Sequence, residues 1–155
     1  MSVSLLGFVG LNFLAALSGG IFSPGKWYEA LVKPSWQPPN WAFPVVWSVL
    51  YVLNAIAGWL VWSETGFSGA GQLALIVYGV SLILNAAWSA IFFGMKRMQL
   101  ALWEAILLWL SVLLQLILFI QIDQLSGLLT LPYIMWVSVA VWLNRTMLKL
   151  NPEFS

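Results

Sequence analysis

Five runs of about 20 predominantly apolar residues divide the chain, at roughly 3–22, 43–62, 72–93, 99–120 and 127–144. A helix needs about 20 such residues to cross the hydrocarbon of a bilayer. Only Glu104 puts a charge inside any of the five. The runs lack the alternation of a lipid-facing strand, so helices are predicted and a β-barrel is not. Apolar residues make up 62% of the 155 and charged ones 7%, the proportions of an embedded chain. The expectation is an all-α membrane protein, one integral domain over residues 1–155 built as a bundle of five transmembrane helices. The first run resembles a secretory signal, but it has no basic n-region and is long enough to span, so it counts as the first helix.

The charges test that count. With five spans, the first connection, the third connection and the C-terminus share one side. They carry Lys26, Lys33, Lys96, Arg97, Arg145 and Lys149, which are all six basic residues. The opposite side carries only Glu64 and Asp123. The positive-inside rule then puts the basic loops and the C-terminus on the cytoplasmic side, or its equivalent, with the N-terminus across the membrane. Losing one middle span would scatter the basic residues to both sides. A net charge of +1 offers nothing to a nucleic acid.

Cys and His are both absent. That excludes disulfides and thiolate chemistry, and it removes the usual general base and the commonest metal ligand. No metal site is expected and no cofactor is required. A tetrapyrrole bound here would have Tyr, Met or no axial ligand.

The longest stretch between the runs is Lys26 to Trp47, KWYEALVKPSWQPPNWAFPVVW. Pro34, Pro38 and Pro39 fix φ and remove N–H donors, so Lys33 to Asn40 is predicted to be stiff, extended or turn-like. Trp and Tyr join a large apolar body to a polar tip and suit a membrane–water boundary. Two readings fit: an aromatic cover over one end of the bundle, or an interfacial anchor with no ligand.

Polar residues inside the spans fall at helical spacing. The second span carries Trp47, Tyr51, Asn54 and Gly58 on one face; the third carries Ser81, Asn85, Trp88 and Ser89. The fourth has Glu104, Ser111 and Gln115, and the fifth Tyr133, Trp136, Ala140 and Asn144. Asn12, Ala16 and Gly19 form the matching stripe on the first. Polar groups are costly in hydrocarbon, so these stripes face the interior. They serve either as interhelical glue or as the wall of a pocket for a flat, largely apolar molecule with polar edges. Glu104 lies about one turn inside its span, near Lys96 and Arg97, and is expected to form a salt bridge or to snorkel. Small-xxx-small pairs such as Ala15/Gly19 and Ala86/Ala90 permit close helix approach within the chain or in a homodimer.

Four segments carry a resemblance: WYEALVKPSWQPPNWAFPVVWSVLY (Trp27 to Tyr51), NAAWSAIFFGMKRM (Asn85 to Met98), Ala101 to Glu104, and LPYIMW (Leu131 to Trp136). In order and spacing they are similar to the translocator protein family, which comprises the tryptophan-rich sensory proteins of bacteria and the peripheral-type benzodiazepine receptors of mitochondria. The resemblance implies five transmembrane helices, homodimers, and binding of porphyrins such as protoporphyrin IX and haem, with cholesterol and synthetic drugs in some members. By motif position it implies a pocket lined by Tyr28, Trp47, Asn85, Trp88, Trp136 and Ala140. It also implies, in some bacterial members, light-dependent oxidative breakdown of protoporphyrin at the positions of Trp47 and Trp136, which are therefore the candidate catalytic residues. Taken with the loop and the stripes, the expected ligand-binding set is Tyr28, Trp36, Phe43, Trp47, Tyr51, Asn54, Asn85, Trp88, Trp136 and Ala140.

Two departures from the family pattern stand out. Animal members carry Pro after the third-span Trp, whereas here Ser89-Ala90 follows Trp88, so the local bend is expected to differ. The animal sterol motif needs a Tyr that Val141 to Lys149 lacks, which argues against specific sterol recognition. The leading function is thus a porphyrin receptor or carrier affecting tetrapyrrole transport or regulation. The alternatives are photo-oxidative degradation in the same pocket and a non-catalytic membrane scaffold.

Overall fold

The computed structural model describes residues 3–154. Five long helices form: α1 (Val3–Ile21), α3 (Ala42–Thr65), α4 (Gly69–Ser89), α5 (Met98–Ile122) and α6 (Gln124–Leu150), with a short α2 (Lys26–Ala30) between the first two. All five are long and apolar enough to cross a membrane, and the described residues contain no strand. In hydrocarbon every backbone donor must be satisfied within its own segment, and a helix does that. Contacts run α1 to α3, α3 to α6, α6 to α5, α5 to α4 and α4 back to α1, so the helices close into a ring.

Lipid is as apolar as the side chains, so the ring is held by close packing and hydrogen bonds more than by hydrophobic burial. Gly58 is one point of close approach, since a Cβ there would stand 2.9 Å from the rings of Phe8 and Tyr78. Deep in the bundle a run of buried amides crosses four helices. Asn12 Nδ2 donates to the Phe8 carbonyl (2.9 Å) and to the Tyr78 hydroxyl, and Asn54 Nδ2 donates to Asn12 Oδ1 (3.0 Å). Gln115 Nε2 donates to Asn54 Oδ1 at 2.8 Å. Ser81 Oγ lies 2.8 Å from both Gln115 Oε1 and the Tyr78 carbonyl, and gives its one proton to either.

The interior-facing stripes therefore include true interhelical glue. The side chains of Asn12, Asn54, Ser81 and Gln115 are all paired, as burial requires.

The three segments that carry all the basic residues meet at one end. Val32 of the first connection hydrogen-bonds Asn151. Trp27 meets Phe92 and Phe154 edge-on at 5.9 and 5.3 Å. Lys96 and Arg97 border the same surface hollow as Glu153 and Phe154. The alternation inferred from charge is the alternation the fold adopts.

Several boundaries differ from those read in the sequence. The fifth span starts earlier, at Gln124, because the Asp123 carboxylate accepts from the Ser126 amide at 2.6 Å and caps the helix. It also ends later. Arg145 to Leu150, beyond the apolar run that stops at 144, continue α6, with Met147 buried beneath the first connection. That connection contains α2, which the Pro-rich pattern did not announce. The third span widens into a π turn at Ala90–Gly94, which occupies the place where a bend was expected to differ. Glu104 forms no salt bridge and does not snorkel: it is 7% exposed, and neither carboxylate oxygen accepts a hydrogen bond from any described group.

Gly127 tests the α5–α6 seam. A Cβ there would lie 2.5 Å from Ile120 Cβ and 2.8 Å from Ile120 Cα, and the backbone atom cannot move aside. Gly127→Ala is expected to destabilise the protein by about 1–3 kcal/mol, the usual cost of overpacking. Thermal melts in detergent check this against Gly79→Ala, where nothing lies within 4 Å and the melt should hold.

Candidate functional site

At the basic end the ring encloses a cavity of about 610 Å³. Its walls follow from helical spacing. On α3, Phe43, Trp47 and Tyr51 recur every fourth residue and face inward together. On α6, Trp136, Ala140, Asn144 and Met147 do the same at intervals of three and four. Asn85 and Trp88 come from α4. From α1 come Ala16, Gly19 and Gly20; a Cβ on either glycine would meet nothing within 4 Å, so this helix contributes space rather than contacts. Pro24, Tyr28, Glu29 and Asn40 of the first connection form the roof.

The rings brace one another. Phe43 meets Trp136 edge-on at 5.7 Å, and Trp47 meets Tyr51 at 5.6 Å and Tyr133 at 6.2 Å. Most polar atoms of the wall are already engaged. The Tyr51 hydroxyl donates to Asn85 Oδ1 at 2.5 Å, and Asn85 Nδ2 donates to the Tyr133 oxygen at 3.0 Å. Trp88 Nε1 donates to Asn144 Oδ1 at 3.2 Å, and Asn144 Nδ2 donates to the Met98 carbonyl at 3.0 Å. Trp136 Nε1 is buried and has no partner. The site thus offers flat apolar faces.

Of the ten residues expected to line a pocket, Tyr28, Phe43, Trp47, Tyr51, Asn85, Trp88, Trp136 and Ala140 do so. Trp36 does not: it sits in the turn closed by Gln37 N–H donating to the Pro34 carbonyl and is 44% exposed. Asn54 does not either, because it lies a turn deeper and spends its amide on Asn12 and Gln115. The aromatic side chains of the loop therefore divide between two directions. Tyr28 points into the bundle, while Trp36 and Trp41 face outward as anchors would.

Phe92 and Phe93 also line the cavity and were missed. The π turn at Ala90–Gly94 brings both consecutive rings against Trp88, at 4.8 and 5.7 Å. In a regular α-helix neighbouring side chains diverge by about 100°. The doubled Phe four residues after a cavity Trp was the available signal. The described residues contain no cluster of His, Cys, Asp or Glu able to hold a metal.

A profile of the TspO/MBR family matches residues 8–150, from within α1 to the last residue of α6. The chain belongs to that family. It is 45% identical over 138 residues to the protein CrtK of Rhodobacter capsulatus, covering 89% of this chain and 86% of the relative. The tryptophan-rich protein TspO of Chlorobaculum tepidum is 37% identical, over 93% of each chain. The human translocator protein is 34% identical, over 92% of this chain and 86% of its own length. The TspO/MBR match embraces all five spans and every residue of the cavity wall.

Tyr28 is the roof residue most sensitive to its surroundings. Burial pushes its phenol above the ordinary tyrosine range, with the Gln37 amide acting the other way. The folded protein holds this proton more tightly than the unfolded chain. Its contribution to stability is therefore complete below about pH 10 and is lost as pH rises through the folded-state value. The absorbance at 295 nm of the wild type minus that of Tyr28→Phe should give a phenolate titration with its midpoint above that of free tyrosine.

Proposed function

We propose that this member of the TspO/MBR family is a membrane receptor or carrier for a porphyrin, held in the aromatic cavity beneath the first connection. The observation that carries the reading is the convergence of Tyr28, Trp47, Trp88 and Trp136, from the roof and three helices, on one hollow. A volume of about 610 Å³ falls within the roughly 300–1,000 Å³ typical of small-molecule pockets. Facing indole and phenol rings suit a planar macrocycle. Lys33, whose Nζ lies 4.8 Å above the Tyr28 ring, brings a cation to the roof where carboxylate edges would lie. Haem would find Tyr28, Tyr51 and Met147 as the wall side chains capable of ligating iron. The basic end faces the cytoplasm in this reading, by the positive-inside rule.

Protoporphyrin IX added to the protein in detergent should quench tryptophan fluorescence saturably at micromolar or lower concentration. Trp136→Ala should weaken that quenching at least tenfold in concentration. Trp103→Phe, at a 60% exposed site on α5, should leave the affinity unchanged. Absence of saturable quenching in the wild type removes the reading.

The placement of Trp47 and Trp136 in one wall favours a second activity, light-dependent oxidation of the bound porphyrin with oxygen as oxidant and the two indoles as relays. Under illumination the Soret band of the complex should then bleach faster than that of porphyrin in empty micelles, and Trp47→Phe should slow it.

A further inference from the structure

We propose that Asn151, just past the end of α6, is the latch of the cavity roof: its carboxamide holds the first connection shut, and releasing that hold opens the basic end. The roof has little polar attachment of its own. Pro34, Pro38 and Pro39 remove three backbone donors from it, and its other side-chain hydrogen bonds, from Lys33 and Gln37, stay within the connection. Asn151 reaches it across 119 residues of sequence. Oδ1 accepts the Val32 N–H at 2.9 Å and Nδ2 donates to the Val32 carbonyl at 2.9 Å, so one side chain pairs with both backbone groups of a single residue. The second Nδ2 proton goes to the Met147 carbonyl at 2.8 Å. Both Nδ2 protons and Oδ1 are engaged, and the residue is 2% exposed.

The pairing reads backbone, which leaves the Val32 side chain free to face outward. A second grip lies three residues on, where Phe154 meets the Trp27 ring edge-on at 5.3 Å. The strap 151–154 therefore holds the roof at Trp27 and at Val32, on either side of Tyr28 and Glu29, the two α2 residues that face the cavity. Lifting Tyr28 away from the hollow requires breaking a partly buried, reciprocal pair of hydrogen bonds.

The consequence for ligand exchange rests on the porphyrin reading; the latch itself does not. Hydrogen exchange on the full chain in detergent tests the latch without any ligand. Two partly buried hydrogen bonds, each in the lower half of the usual net range, correspond to about a tenfold change in opening. Peptides covering Lys26 to Trp41 should therefore exchange about tenfold faster in Asn151→Ala, and not in Glu153→Gln, a change on the exposed face of the same turn. Val32→Pro breaks one of the two bonds from the other partner, because it deletes the N–H while keeping Asn151 as the α6 cap, and should speed exchange of the connection about threefold. Leu31, at φ −68° and ψ 145°, already has the extended backbone a following proline needs. This variant decides the matter if Asn151→Ala fails to fold.

Acceleration confined to Met147 to Leu150, with the connection unchanged, would mean that Asn151 merely caps α6, and the proposal falls. For ligand exchange, protoporphyrin IX dissociation followed by stopped flow should quicken about tenfold in Asn151→Ala and about threefold in Val32→Pro; neither Asn151 nor Val32 lines the cavity. Faster amide exchange with unchanged dissociation would overturn the claim that the roof is the ligand's route. A wild type that binds no protoporphyrin defeats the receptor reading, while amide exchange still decides the latch.

Discussion

The buried amide run from Asn12 through Asn54 and Gln115 to Ser81 is the constraint from which the rest of the bundle takes its register. Lipid gives apolar helices no strong reason to prefer one rotation over another, whereas an unpaired amide in hydrocarbon costs several kcal/mol. Satisfying this run sets the faces of α1, α3, α4 and α5 that point inward. Tyr51 lies three residues from Asn54 and Asn85 four residues from Ser81, so the same rotation aims them at the bundle axis a turn nearer the basic end. Polar pairing in one half of the bundle thereby positions aromatic rings in the other.

What separates the two halves is side-chain volume on α1. Toward its start, Phe8 packs on Tyr78 at 5.6 Å and closes the core. Toward its end, Ala16, Gly19 and Gly20 supply almost no bulk, and the rings of α3, α4 and α6 are left facing an open space. Interiors normally leave few voids larger than a water molecule. A hollow of about 610 Å³ ringed by braced aromatic side chains is therefore a built feature, consistent with a protein whose work is to hold something flat and apolar.

The roof obeys different physics from the spans. It stands at the boundary where water can reach backbone groups, and its prolines leave it few internal hydrogen bonds. It is held by Leu31 and Tyr28 buried among Phe92, Met98 and Met147, and by the side chain of a residue almost at the C-terminus. Cover and wall are thus joined by one apolar cluster and one polar pair.

Much of this was legible in the residues. Apolar run length and the one-sided distribution of Lys and Arg determined five helices and the end at which the basic segments meet, because hydrocarbon thickness and backbone satisfaction leave no other solution. Spacing on the second and fifth spans put Trp47, Tyr51, Trp136 and Ala140 on interior faces, since a helix has a fixed period. Tertiary structure alone decided how those faces divide their labour. Asn54 went to the glue and Asn85 to the wall, Tyr28 turned inward while Trp36 turned out, and Phe93 joined the wall through a π turn. Val32 and Asn151 are 119 residues apart, and nothing in either neighbourhood names the other. Periodicity reports which way a side chain points along its own helix; which neighbour it meets there depends on how separate helices pack, and only the folded chain contains that information.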